Sequence, residues 1–303
     1  MVQRILVIGA TGLLGEPVAR SLREAGFGVR VMSRDAGRGR AKFPEPFELV
    51  AGDARNVADV RNALTGCDAV HISIDHDQED ECVAQAVEAA QAERLQRITY
   101  ISGTTVCEEN RWFPLVDRKL KSEETIRASG IDYTIFCPGW FMEMLARFVR
   151  DGRVLVFGKP RQRWHIVAVQ DLARMVVESY RCPESANRRF YVHGPQALTL
   201  LEALRLYCGV LHPEIKNFRS TPYWLLRLIA RRRGDARMRA GVEMVSYLER
   251  VGERGDPTEA NTILGAPQIT LDRWLRRQKG SEDLPDLGFG LKTHAPDETV
   301  EVK

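Results

Sequence analysis

The stretch Arg4-Ile5-Leu6-Val7-Ile8-Gly9-Ala10-Thr11-Gly12-Leu13-Leu14-Gly15 decides how the chain is read. Ile5 to Ile8 is an apolar, branched run with the length of a buried strand. It stops at Gly9, and apolar periodicity from Leu13 to Leu22 predicts a helix. Strand, glycine-rich turn and helix in that order make a seat for a diphosphate. Gly9 is open to backbone conformations closed to other residues. Gly12 has no Cβ to hold a phosphate off the main chain, and Gly15 lets the helix lie close on the sheet. The N–H groups over Thr11, Leu13 and Leu14 then face an anion at the helix N-terminus. The spacing is G-x-x-G-x-x-G, which differs from the commoner G-x-G-x-x-G. Three glycines alone also suit a plain tight turn, so the flanking strand and helix carry the reading.

Working outward, Phe27 to Arg34 reads as the second strand. At its end an NAD site would carry an acidic residue for the ribose 2′-OH. Here Ser33-Arg34 is followed by Asp35, Arg38, Arg40 and Lys42. A guanidinium grips phosphate through two parallel hydrogen bonds, so Arg34 favours NADP(H) over NAD(H). The competing reading makes the basic residues a solvated turn and gives the ribose to Asp35. Phe47–Val50 is a short third strand. After it, Asp53 either accepts from the adenine amine or caps a helix starting near Val57.

Asp68 to Ser73 is the fourth strand, and its end, Ser73, should flank the nicotinamide half of the coenzyme. His71, inside that strand, reads as a hydrogen-bonded core histidine. The cluster Asp75-His76-Asp77-Gln78-Glu79-Asp80-Glu81 either holds a metal or, as we prefer, is a solvated loop whose carboxylates suit the next helix N-terminus; no metal site is expected. Glu81–Glu93 is helical. Arg97–Ile101 is the fifth strand, closed by Ser102-Gly103-Thr104-Thr105, whose hydroxyls either contact nicotinamide and substrate or make local turns. Val116–Ser129 is a helix stopped at Gly130, and Ile131–Phe136 is the sixth strand. After it Trp140, Phe141 and Met142 either line a substrate pocket or pack beneath a second lobe.

Repeated strand–helix alternation predicts an α/β, Rossmann-type doubly wound parallel sheet with helices on both faces. We expect three parts: a dinucleotide-binding domain over 1–150, a smaller C-terminal α+β lobe over 151–280 that also returns to the sheet, and a loose polar tail over 281–303. In the lobe, Val154–Phe157, Trp164–Val167 and Arg189–Val192 are strand candidates. Gln170–Tyr180, Thr199–Cys208, Pro257–Leu264 and Thr270–Arg277 are helix candidates. Tyr223 to Ile229, running into Arg231-Arg232-Arg233 with Arg237 and Arg239 beyond, is either a lobe helix with a basic face or a weak membrane-surface contact.

The 303 residues are 28% charged and 44% hydrophobic, with a net charge of +3. That charge gives no reason to invoke nucleic acid. No run approaches the ~18 apolar residues of a membrane span, and the first strand leaves no room for a signal peptide. Six scattered cysteines without a C-x-x-C pair read as reduced thiols. The expected location is therefore cytoplasmic, with a small-molecule substrate or a protein partner, as monomer or homodimer.

The chain resembles the NmrA-like, or atypical, branch of the short-chain dehydrogenase/reductase superfamily, with isoflavone reductase-like enzymes and quinone reductases as relatives. Ile5–Gly15, Val29–Asp35, Gly52-Asp53, Ile98–Gly103, Lys119–Gly130 with Ile131–Ile135, Pro138-Gly139, Val167–Ala173 and Ala260–Pro267 carry the likeness. The resemblance implies an NAD(P)-binding fold and, for the reductases, hydride transfer. Typical members use a Tyr-x-x-x-Lys pair, but four residues before Lys119 and Lys121 stand Leu115 and Asp117. In isoflavone reductase-like relatives a lone lysine acts, eleven residues before the glycine preceding the sixth strand. That correspondence selects Lys119 as catalytic residue or ribose contact, against an exposed helix lysine. Cys137 stands where many relatives carry arginine. The resemblance thus implies an NADP(H)-dependent reductase of quinones or enones. Its alternative is a non-catalytic NADP(H) sensor or assembly factor, and a sugar-nucleotide epimerase ranks below both because it too needs the absent tyrosine.

Overall fold

The computed structural model describes residues 2–74, 78–150 and 152–280. Asp75, His76 and Asp77 and the expected tail over 281–303 lie outside the described residues. β1 (Arg4–Ile8), β2 (Gly28–Ser33), β3 (Glu48–Ala51), β4 (Ala69–Ile72), β5 (Arg97–Ile101), β6 (Asp132–Pro138) and β7 (Arg188–Val192) form one seven-stranded sheet. Every pairing is parallel, in the order β3-β2-β1-β4-β5-β6-β7. The direction of winding reverses between β1 and β4, and ligands of such sheets bind beyond the strand ends at that point.

The central strands β1, β4 and β5 are buried on both sides because both faces are covered. Ile5 and Val7 point to one side, packing with Val18, Ala19 and Leu22 of α1 (Gly15–Glu24) and with Leu172 and Val176 of α6 (Val169–Arg181). Leu6 and Ile8 point to the other, toward α3 (Val57–Leu64) and α4 (Glu79–Ala92), whose layer continues into α5 (Pro114–Ala128). Alternate side chains of one strand thus feed two separate cores.

The seventh strand and α6 come from beyond residue 150, so the sheet is completed by chain that the domain expectation assigned to the lobe. The rest of the lobe has its own apolar cluster, which includes Met142, Leu145, Trp164, Leu204, Tyr207 and Trp274. It is built on α7 (Leu200–Leu211), α8 (Tyr223–Arg232), α9 (Ala236–Val251) and α11 (Leu271–Gly280), while α10 (Thr258–Leu264) packs on the sheet side. The strand expected over Val154–Phe157 is two two-residue strands, and Trp164–Val167 shortens to Arg163–His165, paired antiparallel with Ala197–Thr199. α9 presents Val242 and Val245 to the lobe cluster, and its Tyr247 stacks on Phe113 at 3.9 Å.

One buried acid ties the lobe to the sheet. Glu143 accepts from the Val169 amide at the start of α6 at 3.2 Å and from Trp274 Nε1 of α11 at 3.1 Å. Burial pushes its carboxyl up from 4.5 to about 7. The folded chain therefore holds this proton more tightly than the unfolded chain. The stabilisation is complete below the ordinary carboxylate range and is lost as pH rises through about 7, at a scale of ~3 kcal/mol. In thermal melts, wild type should lose stability between about pH 5 and pH 8.5 relative to Glu143→Gln, which cannot ionise. Parallel pH curves for the two proteins would contradict this.

Candidate active site

The glycine turn sits at the reversal point. Gly9 has φ +84°, and a Cβ there would lie 2.0 Å from the Ser73 carbonyl oxygen just past β4. The ends of β1 and β4 approach so closely that only glycine fits. A Cβ on Gly15 would lie 2.2 Å from the Gly9 carbonyl oxygen, so α1 is seated against the turn itself. Gly12 donates to the Gly9 carbonyl at 2.9 Å and is exposed. Thr11, Leu13 and Leu14 are half-buried around it, and the chain enters α1 with its free amide end toward the carboxyl edge of the sheet. Gly9, Gly12 and Gly15 keep side chains off the main chain at three points of the turn, as a diphosphate seat requires.

Beyond β2 the charges sort themselves. Lys42 Nζ bonds Glu16 at 2.6 Å and the Thr11 carbonyl at 3.2 Å, and Arg20 bonds the same Glu16 at 2.9 Å. Asp35 caps α2 (Ala36–Lys42), accepting from the Arg38 amide at 2.9 Å. That leaves Arg34 exposed at the strand end, close enough for its charge to help hold Asp53 low. Asp53 is gripped first by Arg55, through side-chain and backbone hydrogen bonds, which brings its carboxyl down to about 2. It does not cap α3. Asn56 does, accepting from the Ala58 amide at 3.0 Å.

The acidic cluster was expected to be solvated, and for Glu79 that expectation fails. Glu79 opens α4 fully buried, because α4 begins two residues earlier than the sequence suggested and turns this carboxylate inward. Its Oε1 accepts from Lys119 Nζ at 2.8 Å and from Tyr100 OH at 2.8 Å. Lys119 is 9% exposed, so it is not a surface lysine. Its Nζ also donates to the Ile101 carbonyl at the end of β5, at 3.1 Å. Burial beside this carboxylate pushes the Tyr100 hydroxyl well above its usual range. Lys121 faces outward to Asp117.

A second buried system follows at once. Ser102 donates its hydroxyl to Glu123 Oε1 at 2.5 Å, and Glu123 Oε2 accepts from Arg189 at 3.0 Å and Arg127 at 2.8 Å. Arg189 therefore brings a cation near Cys137, whose thiol burial pushes up to about 12. Thr104 is buried, its amide bonded to the Pro138 carbonyl. Ser73 is half-buried beside Gly9. His71 is fully buried, bonds Thr99 at 2.8 Å and is held neutral by burial, down to about 3.

Trp140, Phe141 and Met142 separate. Phe141 joins the sheet core and Met142 the lobe core, 8% and 1% exposed, which is packing beneath the lobe. Trp140 is half-buried and, with Trp164, Leu145, Leu200 and Val245, lines a narrow apolar recess with room for about one water. Three residues the sequence did not single out meet near the ends of β6 and β7. His165 Nδ1 is 2.5 Å from Glu253 Oε2, and His193 stacks on the His165 ring at 5.0 Å. Eighty-eight positions separate His165 from Glu253, so no local spacing could have joined them. Their ligand atoms lie within 4.8 Å of one another. The rings, however, are parallel to within 4°, so their in-plane lone pairs lie in two separate parallel planes, which suits the His165–Glu253 hydrogen bond better than a shared ion.

The family profile described as NAD(P)H-binding matches residues 9–183. The chain belongs to this NAD(P)H-binding family. Among its relatives, the NAD(P)H azoreductase of Xenophilus azovorans is 27% identical over 207 residues, covering 64% of this chain and 69% of that one. The photosystem II assembly factor Ycf39 of Trieres chinensis is 25% identical over 239 residues, covering 75% and 74%. Citrobacter sp. triphenylmethane reductase complexed with NADP(H) superposes with a TM-score of 0.75 at 18% identity, over 91% of this chain and 99% of that one. The fold of the NAD(P)H-binding family is thereby shown, and no helix among the described residues is long and apolar enough to cross a membrane.

Proposed function

We propose that the protein is an NADP(H)-dependent oxidoreductase that reduces a quinone or enone-like small molecule. The carrying observation is the glycine turn at the β1–β4 reversal together with an exposed Arg34 beyond β2. The residues fit the coenzyme. Backbone amides of Thr11, Leu13 and Leu14 receive the diphosphate, Arg34 the 2′-phosphate and Asp53 the adenine end, while Ser73 and Ser102 flank the nicotinamide half. Asp35, committed to its cap, is poorly placed to take a ribose hydroxyl. When bound, the coenzyme supplies hydride. The protein orients it, excludes water and handles the proton. Lys119 holds the end of β5 and, in this reading, reaches the ribose. Thr104 and the half-buried Trp140, past the ends of β5 and β6, are where a flat acceptor would lie.

Purified protein should oxidise NADPH in the presence of a quinone series, with NADH a weaker donor. Absence of turnover above background with every acceptor sinks this reading. Arg34→Asp should cut the preference for NADPH over NADH at least tenfold, through loss of the 2′-phosphate contact and gain of a repulsive carboxylate. Unchanged preference would move the phosphate elsewhere.

A second reading, a non-catalytic NADP(H) sensor or assembly factor, is favoured by α8. Trp224 and Leu228 are 66% and 39% exposed one helical turn apart, and Arg231, Arg232 and Arg233 follow, also exposed. Such a face suits a partner. Coenzyme-dependent capture of a partner without any turnover would select it.

A further inference from the structure

We infer that His165, paired with Glu253, is the proton donor of this site and occupies the role the missing tyrosine leaves open; the inference rests on the oxidoreductase reading. The position comes first. Gly139 follows β6, and a Cβ there would lie 2.6 Å from Glu253 Oε1. The Gly194 amide, just past β7, donates to the His165 carbonyl at 3.0 Å. Thr104, past β5, donates its amide to the Pro138 carbonyl at the end of β6. The pair therefore stands at the carboxyl edge of the sheet, over the strand ends where ligands of this architecture lie, and on the lobe side, where an acceptor would cover the nicotinamide.

The chemistry comes second. Glu253 is nearly buried and takes three contacts from one residue: the His165 amide at 3.2 and 3.0 Å through its two oxygens, and Nδ1 at 2.5 Å. Both backbone and ring are fixed, and Nδ1 carries the hydrogen that Glu253 accepts. His193 covers one face of the ring and is itself locked, donating from Nε2 to the Arg254 carbonyl at 3.2 Å. The His165 side chain remains 41% exposed, so its other nitrogen, Nε2, is the one available to a ligand. A carboxylate-oriented imidazole with one free nitrogen is the arrangement general acids use.

The step balances. Hydride brings two electrons and one hydrogen to the quinone, leaving negative charge on oxygen. The His165 imidazolium gives its Nε2 proton to that oxygen, forming the hydroquinone. It is left as the Nδ1–H imidazole held by Glu253, and water returns the proton. Two buried groups, Tyr100 and His71, do not offer this. Tyr100 is tied to Glu79, and His71 is sealed inside β4.

The test uses two acceptors. A quinone needs hydride and a proton, whereas a cationic triarylmethyl dye needs hydride alone. In His165→Gln the ratio of quinone to dye turnover should fall about 100-fold, within the range of general acid catalysis. Glu253→Gln, which keeps an acceptor oxygen for the amide, should lower the same ratio less. Long-range ¹H–¹⁵N spectra of the coenzyme-free protein should show neutral His165 protonated at Nδ1, with the tautomers mixed in Glu253→Gln. An unchanged ratio, or an Nε2–H tautomer in wild type, overturns the inference while leaving the oxidoreductase reading intact. Wild type that binds NADPH but reduces neither acceptor overturns that reading, and the role of His165 with it.

Discussion

Lys119→Met is expected to destabilise the protein by about 3–5 kcal/mol, because it leaves the Glu79 carboxylate buried without its cation. Glu79 is wholly inside, and among the described residues only Lys119 pairs with its charge. Its second oxygen, Oε2, has no hydrogen-bond partner there. The melting temperature should drop by roughly 10 °C. The double variant Lys119→Met with Glu79→Gln removes both charges, keeps an acceptor for Tyr100, and should recover most of the loss. Recovery makes the double variant the proper vehicle for the ribose question. A Michaelis constant for NADPH that stays raised after stability returns assigns Lys119 to the coenzyme. A constant that recovers with stability assigns it to positioning the end of β5 through Ile101. Failure of the second substitution to restore stability would contradict the buried-pair account.

Gly9→Ala should weaken NADPH binding at least 100-fold and lower stability by several kcal/mol, on the order of the larger single-site effects. Two costs add. The residue sits at φ +84°, which costs a non-glycine about 1–2 kcal/mol. Its new Cβ would also overlap the Ser73 carbonyl at 2.0 Å, which is backbone and cannot swing away. β1 and β4 must then part at the point where the diphosphate is expected to sit. Gly26→Ala separates the two effects. It has φ +95° but nothing within 4 Å of the added carbon, so it should show the conformational cost alone and spare coenzyme binding. Calorimetric titration with NADPH and thermal melts of both variants decide the matter. Equal behaviour of the two would mean that the close approach of the strands is unimportant.

The site was partly legible because some of its parts are local. Arg34, Asp35 and the glycine turn act within a few residues of themselves, so spacing exposes them. The solvated reading of Glu79 failed because its partner lies forty positions away on another helix. Of the two readings of Asp53, the cap fell for a smaller reason. An arginine two residues on captured the carboxylate, and Asn56 stood nearer the helix start. Phe141 and Met142 were read as either pocket lining or packing beneath the lobe; they pack, and into two different cores.

By itself the sequence determined the alternation of strands and helices, the parallel sheet and the cradle at its reversal point. These follow from periodicity and glycine placement, which are properties of neighbours along the chain. Only the tertiary structure decided that Lys119 is buried against Glu79, that the strand returning from the lobe pairs beside β6, and that His165, His193 and Glu253 meet at the carboxyl edge. Those depend on contacts between distant segments, whose geometry no local pattern encodes and which burial alone makes strong.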